Sequence, residues 1–168
     1  VSLSILPLDL GRWDEAGQGT LVLTSFVDER PLRGAAGLAD WRLCGRLSRL
    51  LRGDKVSGQR GETLMLPPGR RLPFSRLVWF GLGQSAGYGE DRLRTDLGWI
   101  AEVLDLAQLG PIALQPPGRA TGLVGARRAL ELILSAWGGE GGRHLAVIED
   151  PSGQKDVADL LRQHGAVR

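Results

Sequence analysis

The chain has 168 residues, 42% of them hydrophobic and 24% charged, with a formal net charge of +2. That length and composition suit one domain over residues 1–168 with its own core, and they exclude a disordered chain. Cys44 is the single cysteine, which excludes an internal disulfide and a thiolate-rich metal cluster within one chain, and so small a net charge gives no footing for nucleic-acid binding.

No apolar run is long enough to cross a bilayer as a helix, so a soluble protein without membrane contact is expected. Residues 1–10 alternate as a strand and lack the basic start, apolar middle and small-residue cleavage site of a signal peptide, which makes cytoplasmic residence the expectation. Residues 19–27 (GTLVLTSFV) form a denser apolar run suited to a buried strand, expected beside the first in one sheet. After the turn-rich stretch 28–37, Leu38, Trp41, Leu47, Leu50 and Leu51 recur at helical spacing up to Gly53, predicting one helix of about four turns. A polar loop, a short strand over 62–66 stopped by Pro67-Pro68, and a strand over 76–80 follow in a hairpin-like return. Gly81-Leu82-Gly83 then leads into a predicted helix over 90–109, with Leu93, Leu97, Ile100, Val103 and Leu104 on one face. Strands at 112–114 and 145–148 and helices at 123–137 and 156–164 continue the alternation. Such alternation predicts an α/β fold with a largely parallel sheet covered on both faces. The GGEGG segment at 138–142 is too short to separate domains. All basic residues but Lys55 and Lys155 are arginine, which with the abundant glycine and alanine reads as GC-rich bacterial coding.

Leu32 and Gly34, Gly53-Asp54, Gly58, Gly61-Glu62, Gly81-Leu82-Gly83 and Leu93-Arg94 stand in an order and spacing that resembles the N-terminal domain of the leucyl (cytosol) aminopeptidase family. The resemblance implies a macro-domain-like three-layer sandwich, a mixed and mostly parallel sheet between helices. In the family this domain precedes a catalytic domain holding two metal ions, a lysine, carboxylates and an N-T-D-A-E-G-R signature, and it contributes to hexamer assembly. No such signature occurs in this sequence. The resemblance therefore implies a non-catalytic module acting in protein association or regulation, with no catalytic residues, no metal and no cofactor. The detached subunit of a split metalloaminopeptidase, or a fragment of a longer protein, is an alternative.

Gly81, Gly83, Gln84 and Ser85 open a G-x-G-x-x-A pattern between a strand and a helix, the setting of a dinucleotide fingerprint. The next strand, however, closes on Gln115 rather than on an acidic residue, and Glu90 and Asp91 at the helix start would repel a phosphate. A structural turn is the favoured reading of this loop. Macro domains bind ADP-ribose with a comparable loop and an aspartate near an early strand, for which Asp28 is the candidate here, so a nucleotide partner is the alternative. The chain lacks asparagine altogether and with it the asparagine-rich segment of those binders.

Arg42, Arg46 and Arg49 fall at helical spacing and form a candidate partner surface, against the plainer reading of a solvated helix face. Most of the five tryptophans are expected in the core, with Trp137 the candidate exposed interface anchor. Cys44 is expected to pack as a small apolar residue. Ser85 and Ser152 read as helix caps rather than nucleophiles, and His144 and His164 have no neighbours at metal-ligand spacing.

Overall fold

The computed structural model of the protein describes residues 2–139 and 142–164. Its strands are β1 (Ser2–Pro7), β2 (Thr20–Ser25), β3 (Thr63–Leu66), β4 (Arg76–Gly81), β5 (Ile112–Leu114) and β6 (His144–Glu149). Its helices are α1 (Leu10–Ala16), α2 (Gly34–Arg42), α3 (Arg46–Arg52), α4 (Glu90–Leu106), α5 (Ala126–Trp137) and α6 (Pro151–Gln163). The strands form one six-stranded sheet in the order β1-β6-β5-β2-β4-β3, in which only β3 runs antiparallel. The GGEGG segment falls partly outside the described residues.

The pleat sorts side chains into two cores, because successive residues of a strand point to opposite faces. Val22, Val78, Phe80, Leu145 and Val147 face α4, α5 and α6, where Leu93, Leu97, Ile100, Leu130 and Ile133 meet them. Leu21, Leu23, Leu77, Trp79 and Ile148 face the other way, onto Trp13 of α1, Ala35, Ala36 and Ala39 of α2, and Leu47 and Leu51 of α3. The near-continuous apolar run of β2 follows from burial on both faces. Truncating a large side chain in either core, such as Trp79, costs about 3–5 kcal/mol. This is the α/β arrangement expected from the sequence, a mixed and mostly parallel sheet between two layers of helices.

Several local expectations need correction. The first two strands are not neighbours: β1 pairs with β6, while β2 lies between β4 and β5. The segment between them holds a helix that the alternation reading passed over, α1, capped by Asp9 accepting from Arg12 N at 2.8 Å. The single helix expected over 38–53 is two. Cys44 and Gly45 both take positive φ, and the Asp40 carboxylate at the end of α2 accepts from Leu47 N at 2.8 Å and Ser48 N at 3.2 Å, starting α3 afresh. The same turn leaves Cys44 exposed rather than packed. Neither serine caps a helix: α4 starts from Gly89 and α6 from Asp150, which accepts from Gly153 N.

Candidate functional site

Chain direction concentrates loops at the carboxyl ends of β2, β4 and β5. The chain leaves β2 toward α2 on one face of the sheet and leaves β4 and β5 toward α4 and α5 on the other, which opens the kind of crevice where α/β sheets bind ligands. Its walls are residues 26–33, 82–89 and 115–125. The sequence-derived candidates Asp28, Gly83, Gln84 and Ser85 fall there, and Gly81 ends the strand β4 that leads into it.

The glycine loop serves backbone packing. A side chain at Gly81 would place its Cβ 2.3 Å from Gln59 O, and Gly83 adopts φ +76°. Leu82 N donates to Ser25 O at 2.9 Å, Gly83 N to Gly58 O at 2.8 Å, and Val27 N to Gly83 O at 2.9 Å. Arg92 of α4 reaches back to the carbonyls of Leu82, Gln84 and Ala86 at 2.7–3.0 Å. Gln84 itself is exposed at the loop tip. Asp28 and Ser85, far apart in sequence, meet here: Ser85 N donates to Asp28 Oδ1 at 2.9 Å, and the Ser85 hydroxyl donates to Oδ2. The Ser85 hydroxyl bond, followed by its backbone N–H, holds the Asp28 carboxyl below its ordinary range.

The start of α2 is occupied in the same manner. Glu29 Oε2 accepts from Arg33 N at 3.2 Å and Gln115 Oε1 from Ala35 N at 2.8 Å, so two side chains from outside the helix take N–H groups at its start. Gly34 makes this possible, since its φ is +56° and a Cβ there would lie 2.2 Å from Gln115 Oε1. Glu29 is 6% exposed, and burial pushes its carboxyl up to about 7 despite the Arg33 N–H. Sequence reasoning missed Glu29 and Gln115. An acidic residue next to Asp28 in an otherwise apolar strand exit was the available signal.

Between these groups the inner crevice keeps only about 10 Å³, room for about one water. Outside Glu29 lies an open cleft of about 240 Å³ lined by Asp28, Arg30, Arg33, Ser85, Thr121 and Leu123 among others. Outer ties fix the crevice loops. Glu62 accepts from Ser57 N and Gly58 N at 3.0 and 2.7 Å; burial raises its carboxyl, but these bonds bring it below the ordinary value. Asp96, buried in α4, accepts from Tyr88 Oη at 2.9 Å and lies 2.8 Å from Arg60 Nη2, and burial raises both the Asp96 and Tyr88 groups. Arg119 grips Glu149 with two bonds, of 2.7 and 2.8 Å, joining the loop after β5 to the end of β6. No group of three or more His, Cys, Asp and Glu side chains able to hold a metal ion occurs among the described residues.

The candidate partner residues are placed differently from the expectation. Trp137 is 7% exposed, with Nε1 donating to Leu97 O at 3.0 Å and Arg143 over its ring, so it is a core residue and not a surface anchor. Its position at the end of the apolar face of α5 turns it inward. Trp41, expected in the core, is 73% exposed, because Ala39 and Leu43 take the inward positions around it. Arg42, Arg46 and Arg49 form no single-helix stripe: Arg42 on α2 pairs with Asp14 at 2.9 and 3.1 Å, while Arg46 and Arg49 of α3 reach Pro67 O and Cys44 O. Arg71, whose Nη1 lies 2.9 Å from Cys44 Sγ, lines an open hollow together with Arg42, Trp41 and Asp40, and Arg46 and Arg49 do not line it.

Solved structures share this fold. A Trypanosoma brucei macrodomain in complex with ADP matches with a TM-score of 0.69 at 15% identity, covering 95% of this chain and 69% of that one. The macrodomain of Thermus aquaticus DarG matches with a TM-score of 0.63 at 17% identity, covering 88% and 97%. A tomato leucine aminopeptidase variant matches with a TM-score of 0.57 at 16% identity, covering 94% of this chain and 35% of that one. In sequence, a probable cytosol aminopeptidase of Alkaliphilus metalliredigens is 22% identical over 98 residues, 58% of this chain and 20% of that protein. The chain thus spans a fifth to about a third of the aminopeptidases it matches. The sequence model of the cytosol aminopeptidase family's N-terminal domain covers residues 22–137, from β2 through α5 and so through every wall of the crevice. On that match the chain belongs to the cytosol aminopeptidase family, as its N-terminal domain.

Proposed function

We propose that this domain works as a non-catalytic association module, contacting protein through the corner where α2 meets α3. The observation that carries this reading is Trp41, an exposed tryptophan on a hollow that Arg42 and Arg71 also line. Tryptophan and arginine are the residues that most often anchor interfaces. The filled crevice supports it too, since Glu29, Gln115 and Asp28 already occupy donors that a bound phosphate would use. The test is capture by the tagged domain from lysate of its source, compared with a Trp41→Glu variant. Trp41-dependent retention of protein is expected, and an identical retained set with and without Trp41 would sink the reading. A chain carrying the rest of the aminopeptidase is one partner that the family match nominates.

The second reading is nucleotide binding in the outer cleft, where Arg30 and Arg33 stand beside Asp28 and Ser85. It is favoured by the likeness to a macrodomain in complex with ADP. Calorimetry with ADP and ADP-ribose at millimolar concentration decides it: saturable heat is expected if the outer cleft binds nucleotide, and its absence would remove this reading.

A further inference from the structure

The side chains around the crevice differ in how much of their bonding capacity is in use. Asp28 accepts from Ser85 N and Gln115 from Ala35 N. Arg30 directs its guanidinium at carbonyls, reaching Phe26 O at 3.5 Å, Glu29 O at 2.9 Å and Ser57 O at 3.3 Å. Glu29 is not satisfied in this way. Its Oε2 accepts from Arg33 N, but among the described residues its Oε1 has no hydrogen-bond partner and no cation pairs with the carboxylate, although only 6% of the residue is exposed. A buried carboxylate so placed favours an incoming positive group and turns phosphate away. Arg33, exposed beside it, has no carboxylate partner among the described residues either. Both line the open cleft of about 240 Å³, which has an apolar wall in Phe26 and Leu123. That volume lies below the roughly 300–1,000 Å³ of sites for drug-sized ligands, so the ligand it fits is small.

We propose that this cleft binds a small apolar α-amino acid, with its ammonium on Glu29 Oε1, its carboxylate on Arg33 and its side chain against Phe26 and Leu123. Only a ligand that carries both charges close together satisfies both unpaired groups at once, through charge-assisted hydrogen bonds. The site is independent of the Trp41 corner and competes with the nucleotide reading of the same cleft. Proton uptake separates the two. The charged groups of the cleft are Asp28, Glu29, Arg30 and Arg33, all on the segment after β2, while Ser85, Thr121 and Gln115 from the facing loops are neutral. Burial pushes the Glu29 carboxyl up to about 7. A bound ammonium favours its ionised form, so binding at pH 7 releases a proton and strengthens as pH rises through 7. A bound phosphate would disfavour that ionised form and give the opposite sign.

Calorimetry of the full chain tests this with L-valine and L-methionine at millimolar concentration. Isobutylamine, which is L-valine without its carboxylate, and 3-methylbutanoate, which is L-valine without its ammonium, serve as truncated probes. Saturable heat is expected with at least one amino acid, and each truncated probe should bind at least about tenfold more weakly for the charge-assisted bond it lacks. Affinity should rise between about pH 6 and 8, with heats that scale with the ionisation enthalpy of the buffer. Glu29→Gln should weaken binding by a similar factor and remove both the pH dependence and the buffer dependence. Arg33→Ala, at an exposed side chain, should weaken binding while leaving them in place. Matching circular dichroism and melting of the variants excludes misfolding as the cause. Failure of both amino acids to bind, equal binding by either truncated probe, affinity that falls as pH rises, or binding indifferent to Glu29→Gln overturns the proposal. Heat from ADP in a chain that takes up neither amino acid sinks it in favour of the nucleotide reading, and Trp41-dependent capture of protein stands or falls separately.

Discussion

At the scale of single residues, burying Glu29 makes stability depend on pH. Its carboxyl titrates near 7 in the folded chain against an ordinary value of 4.5, so the folded state holds the proton more tightly than the unfolded state. Below pH 4.5 the group is protonated in both states, and stability then falls as pH rises toward 7. The total loss is about 3 kcal/mol at 1.36 kcal/mol per pKa unit. Glu29→Gln should remove that slope, so denaturant melts of variant and wild type should diverge between about pH 4.5 and 8, and parallel curves would show that the carboxyl is already solvated. Arg119 and Glu149 make the opposite case, a buried pair whose partners satisfy each other. Glu149→Ala leaves the Arg119 guanidinium with little water and without its paired carboxylate, and a loss of about 3–5 kcal/mol by chemical denaturation is expected. The pairing of Asp28 with Ser85 was half legible: both stood out by position, but which groups they would bind depended on how the two loops fold over the strand ends. For the tryptophans the sequence misled at Trp41, which sits at an apolar-periodic position although helical spacing cannot show which face finds a neighbouring element, whereas the burial of Trp137 was legible from its place on the apolar face of α5.

At the scale of elements, the glycine loop shows why a fingerprint pattern and a packing turn share one spelling. Both need glycine where backbones approach closely, and here the approaching group is the backbone of Gly58 and Gln59 rather than a phosphate. Gly81→Ala is expected to cost about 2–3 kcal/mol, since the new methyl meets backbone that cannot turn aside. Thermal melting checks this, and Gly87→Ala, where a Cβ would meet nothing within 4 Å, should cost less, through its φ of +71° alone. The long apolar helices α4 and α5 were readable because their buried faces repeat over several turns. The break between α2 and α3 was not, since the apolar period continues across it and only Asp40 reaching forward to Leu47 N marks a new start. Short α1 was missed for want of enough turns to show a period, although Asp9 was a legible cap.

At the scale of the whole molecule, the family match and the fold agree on an aminopeptidase N-terminal domain built like a macro domain, and the function proposed for it is contact with protein. Purified chain is expected to show no metal-dependent hydrolysis of a leucyl amide, and measurable turnover that a chelator abolishes would overturn the non-catalytic reading. The sequence by itself determined the alternation of strand and helix, the two-faced burial of the sheet and the glycine positions, because these follow from periodicity and backbone sterics within a few residues. Tertiary structure alone decided the strand order that separates β1 from β2, the filling of the crevice by Glu29 and Gln115, and the exposure of Trp41. Each of those depends on segments distant in the chain competing for the same space and the same hydrogen-bond donors, a contest that local pattern does not record.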